Sequence, residues 1–95
     1  MTDFEMLYDE MSENYSEMES MLVDIYSQLQ VDPTNSQLQA SFQSLGNVAK
    51  GMLHSQIKLT DIYCQSDLKA TLISNLESKY NDLQSVLEDT RGRSL

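Results

Sequence analysis

Apolar side chains recur near the start of the chain at Phe4, Tyr8, Met11, Tyr15, Met18, Leu22, Ile25 and Leu29, in unbroken steps of four and three. That spacing holds one seam of an α-helix toward a partner, whereas a half-buried strand would alternate at every second residue. Met6, Leu7, Met21 and Tyr26 flank the seam and widen it beyond a coiled-coil stripe, as expected of a helix with more than one neighbour. A lone helix with so broad an apolar face is marginally stable in water. The rest of the chain, or another protein, must cover it.

A second ladder follows at Leu38, Phe42, Leu45, Ala49, Met52, Gln56, Leu59 and Tyr63, again in fours and threes. Between the two lies Val31-Asp32-Pro33-Thr34-Asn35-Ser36, where Pro33 cannot continue the first helix but suits the first turn of the next. Asp32 or Asn35 is the expected N-cap. Two ladders joined by a short polar turn predict an antiparallel helical hairpin. After Gln65-Ser66-Asp67 the phase slips, and Leu68, Leu72, Leu76, Tyr80, Leu83 and Leu87 follow in steps of mostly four. Either Ser66 caps a third helix or one long helix carries a stutter. The expected elements are helix 1 near 3–30, helix 2 near 34–64 and helix 3 near 67–89, with 91–95 a frayed tail.

Gly46 and Gly51 each cost a helix interior about 1 kcal/mol relative to Ala. A glycine there marks either a soft spot or the close approach of another backbone. Gly46 is expected to be an exposed helical position, and Gly51, beside Met52 on the seam, a contact point for a partner.

The chain has 95 residues, enough for one domain, with 40% apolar content, no Trp, one Pro and three Gly. At this size folding buries about 60–65% of the unfolded surface, which argues against a large enclosed active-site cavity. The net charge of −9 is unevenly placed. Nine acids and no base fall in the first 32 residues, whereas six acids and six bases cancel over the remainder. Phosphate contacts need clustered Lys or Arg, so neither nucleic acid nor an anionic membrane is an expected partner. A basic protein surface is the natural complement.

Cys64 is the single cysteine, which excludes an intramolecular disulfide and favours a reducing, cytoplasmic setting. No basic segment leads into an apolar run at the start, so a cleaved secretory signal is not expected. Membrane insertion is not expected either, since no stretch has the length of a spanning helix. His54, the one histidine, has no carboxylate three or four positions away, so neither a zinc site nor a Ser-His-Asp relay is indicated. Carboxylates four apart, such as Asp9/Glu13 and Glu13/Glu17, lie on a solvated helix flank and not in a cleft that would split their acidities. Calcium-loop, Walker and dinucleotide patterns are missing. No cofactor, metal or catalytic residue is expected, and the chain should not be an enzyme. Met6, Met11, Met18, Met21 and Met52 give the seam an adaptable character suited either to core packing or to docking.

The stretch from Asp32 to Ser44 resembles the turn and second-helix start of type III secretion needle subunits, whose turn reads Pro-(Ser/Asp)-Asn-Pro before a Leu, a small residue and an aromatic or Leu ahead of Gln. Pro33, Asn35, Leu38, Ala40, Phe42 and Gln43 match that pattern in place. Needle subunits end soon after the second helix, whereas this chain runs on through Leu68 to Leu95, and their first segment is seldom so acidic. The small helical chaperones and co-chaperones of the same machinery are similar in being short, acidic, cytoplasmic and dependent on coiled-coil docking.

The expected fold is all-α, an antiparallel helical hairpin of two or three helices with coiled-coil-like packing. The expected function is protein–protein association, with Phe4, Tyr8, Met11, Tyr15, Met18, Leu22, Ile25, Leu29, Gly51 and Met52 as the binding residues. The resemblance implies a small component or chaperone of a type III secretion apparatus. A subunit of some other coiled-coil complex fits the periodicity as well, and an acidic DNA mimic that blocks a nucleic-acid-binding enzyme fits the first helix but not the charge-neutral remainder. A second copy of the chain is a further candidate partner.

Overall fold

The computed structural model describes residues 3–93. It is all-α: α1 spans Asp3–Val31, α2 Ser36–Tyr63 and α3 Lys69–Arg93. The helices run up, down and up, as contacts from Gln56 to Tyr8 and from Gln43 to Leu87 show. Their backbones meet only as α1 with α2 and α2 with α3. α2 is therefore the central helix, with parallel α1 and α3 on either side of it, in a body of 46 × 19 × 15 Å.

The first turn is built by Asn35 rather than by Pro33. Asn35 Oδ1 accepts the Leu38 backbone N–H at 3.1 Å, which satisfies one of the donors left free at the start of α2. Asp32 serves the turn differently, accepting from Asn35 Nδ2 at 3.0 Å and from the Asn35 N–H at 3.2 Å. α2 begins only at Ser36, so Pro33 lies in the turn and not in the first helical turn. The second turn separates two helices and is no stutter. Cys64 ends α2 in an extended conformation, and Ser66 Oγ takes the Leu68 N–H at 3.1 Å. A serine hydroxyl bonding the backbone two residues on competes with helix continuation.

The expected frayed tail is corrected over its first three residues: α3 continues through Arg93, while Ser94 and Leu95 lie outside the described residues. Gln43 supports this last part of α3 by donating to the Leu87 carbonyl at 2.8 Å and accepting from Arg91 at 3.5 Å. Thr90 is buried and donates to the Val86 carbonyl.

The core gathers Tyr15, Leu22 and Leu29 from α1, Phe42, Ala49 and Leu53 from α2, and Leu76, Leu83 and Leu87 from α3. Burial of a side chain such as Leu53 or Leu87 contributes about 1.5–3 kcal/mol relative to exposure. Within this core Gly46 is buried, and a methyl added there would collide with the Leu87 side chain. The expectation for Gly46 is thus reversed. It is the close contact, made by α3 on α2, whereas Gly51 is exposed with open space around its Cα.

One polar rung crosses the apolar ladder. Gln56 is 2% exposed and donates to Ser12 Oγ at 2.8 Å and to the Tyr8 carbonyl at 3.3 Å. A buried amide whose hydrogen bonds are met in one alignment only fixes the register of α1 on α2.

A candidate docking trough between α1 and α3

Because the backbones of α1 and α3 flank α2 without approaching each other, a trough opens between them. Its larger hollow, of about 410 Å³, has Phe42 of α2 as its floor, Tyr15, Leu22 and Tyr26 on the α1 wall, and Leu83 and Val86 on the α3 wall. Val23, 58% exposed, and Val86, 39% exposed, stand at its mouth. A smaller hollow of about 340 Å³ lies nearer the start of α1, where Phe4 and Tyr8 face Leu68 and Leu72 beside Cys64.

The rim is charged and mostly negative. Glu19 and Asp82 border the large hollow, and Glu5 and Asp9 the small one. Lys79 is the basic residue of the lining, and it reaches from α3 to place its Nζ 5.6 Å from the centre of the Tyr15 ring. Such a cation–π contact contributes about 0.5–1 kcal/mol at an exposed site. Both tyrosines resist ionisation. Tyr15 is pushed up to about 12, first by burial, then by the Glu19 carboxylate, which its hydroxyl also hydrogen-bonds, and then by Asp82. Tyr8 is raised by burial, with Asp9 and Cys64 adding to it. An apolar, negatively charged wall produces this pattern.

The residues expected to bind a partner divide into three groups. Tyr15, Leu22 and Leu29 are buried in the chain's own core. Phe4, Tyr8, Met11, Met18, Ile25 and Met52 are half-buried, with Phe4 and Tyr8 stacked at a tilt, 5.7 Å between ring centres. Gly51 is exposed on α2. The structure brings Tyr15 and Leu22 into the large hollow and Phe4 and Tyr8 into the small one. Met11, Met18, Ile25, Leu29, Gly51 and Met52 line neither hollow.

Phe42, Leu83, Val86 and Lys79 complete the trough and were not expected there. Of the remaining α1 wall, the apolar spacing marks Tyr26 as flanking the seam and does not single out Val23. His54 is exposed on α2, and Cys64 is buried as the cap of that helix. Among the described residues no three His, Cys, Asp or Glu side chains are grouped as a metal site, and no helix is long and apolar enough to cross a membrane.

In comparison with known proteins, no family model, no curated protein and no solved structure matches the chain.

Proposed function

We propose that this chain is a non-enzymatic docking module that receives another protein in the trough between α1 and α3. The observation that carries this reading is the large hollow itself, walled by Leu22, Tyr26, Leu83 and Val86 and open at Val23. Two flanking helices with a central one behind them leave the position of a fourth bundle helix vacant, and bundle cores are built from residues facing that position. Proteins bury such apolar grooves against amphipathic segments of partners. The type III secretion setting rests on residues 32–44 alone, and the trough reading does not draw on it.

The test is affinity capture from the cells that make the chain, comparing the wild type with the double variant Val23→Ser, Val86→Ser. Both side chains are exposed, so the variant should melt like the wild type. Loss of the captured partner, alongside retention by a Val48→Ser control, is the expected result. Equal capture by all three would reject the trough as the docking site.

A further inference from the structure

We propose that the occupant of this trough is a helix from a different protein, apolar along one face and flanked by Lys or Arg, which completes a four-helix bundle. The inference rests on the docking reading and names the partner's chemistry. The two hollows lie along the same stripes of the two helices: Tyr8, Tyr15 and Leu22 follow each other at sevens along α1, and Leu72, Lys79 and Val86 do so along α3. Seven residues are close to two helical turns, so each set lies on one stripe of its helix. From Phe4 to Tyr26 the α1 wall runs about 33 Å at 1.5 Å per residue, the length of a helix of about 22 residues. An extended peptide would find no strand edge for its backbone groups among the described residues, whereas a helix satisfies its own.

Charge disfavours a second copy docking through α1, α3 carries as many acids as bases, and the exposed stripe of α2 at Ser44, Val48, Gly51, Ser55 and Lys58 offers little apolar surface. Glu5, Asp9, Glu19 and Asp82 border the trough, with Lys79 as the one cation in its lining. A second copy offering its α1 would bring an acidic helix that carries no base, and like charges across an interface oppose binding. Lys79 places its ammonium over the Tyr15 ring and shares the lining of the large hollow with Glu19 and Asp82, so it would compete with a partner's cation there. Removing that ammonium should therefore strengthen binding of a basic helix. A lysine that only braced the trough would give the opposite sign.

The probe is a fluorescent helical peptide of about 21 residues with Leu along one face and Lys flanking it. One control replaces every Lys by Glu, and another scrambles the same composition so that no apolar face forms. Anisotropy titrations with the full chain should show the Lys peptide binding at least about tenfold more tightly than either control. Val23→Ser, Val86→Ser should weaken it by about tenfold, and Lys79→Gln should tighten it several-fold. Equal binding of the Lys and Glu peptides, indifference to the valine variant, or weakening by Lys79→Gln would overturn the proposal. Light scattering of the chain alone separates the remaining outcomes. A dimer dissociated by the valine variant would leave the docking reading standing and make the occupant a second copy. A monomer that binds none of the peptides would remove both.

Discussion

Gly46 and Gly51 sit five positions apart on α2 and meet opposite surroundings. Gly46 lies under Leu87, itself 1% exposed, so Gly46→Ala must displace a packed side chain and should cost about 1–3 kcal/mol. Gly51 faces open space, and Gly51→Ala should instead stabilise the chain by about 0.5–1 kcal/mol through the better helix former. Chemical denaturation of the two variants checks both signs. The sequence could not separate them, because the side chain that makes the difference comes from α3, far along the chain. Tyr15 supplies a pH signature. Its pKa rises from an ordinary 10.0 to about 12 in the folded chain, so folding favours the protonated phenol. The stability this proton holds is complete below about pH 10 and is lost as pH climbs through about 12. Thermal melts across that range should fall less steeply for Tyr15→Phe than for the wild type. Parallel curves would show that the phenol is not held neutral by its surroundings.

At the level of elements, the turns carry the sharpest expectations. Asn35→Ala removes the cap on the Leu38 N–H and should cost about 1 kcal/mol. Asp32→Ala removes only an exposed side-chain bond to Asn35 and should cost less, and equal losses in thermal unfolding would misplace the cap. The hairpin of α1 and α2 was legible because fours and threes persist through both ladders and the break at 32–35 is a polar turn with Pro33, whereas the phase slip around Gln65-Ser66-Asp67 left a third helix and a stutter equally open. Gln56, placed on the second ladder by spacing alone, proved to be its polar rung. The trough was not legible, since it depends on how α3 sits across α2 from α1. Steps of four drift around a helix and leave its facing side undefined until Leu87 seats on Gly46. Nor could the seam of α1 announce that Tyr15, Leu22 and Leu29 are taken up by the chain's own core, because self-packing and partner docking use the same apolar spacing.

For the whole molecule, the acids of α1 and the neutral remainder make an elongated body with one strongly negative side. Exposed charges of this kind steer encounter and are screened beyond about 8 Å at physiological salt. Raising ionic strength should slow association with a basic helix several-fold while leaving dissociation nearly unchanged, as stopped-flow mixing would record. A salt-insensitive rate would reduce the acids to a solubilising role. The most direct test of the trough as the docking face is an NMR titration of the isotope-labelled chain with the Lys-flanked helical peptide. Amide shifts should concentrate on α1 between Phe4 and Tyr26 and on α3 between Leu72 and Val86, with Val48 and Gly51 on the exposed side of α2 unmoved. Shifts centred on Val48 and Gly51, or none along the two flanking helices, would contradict docking in the trough.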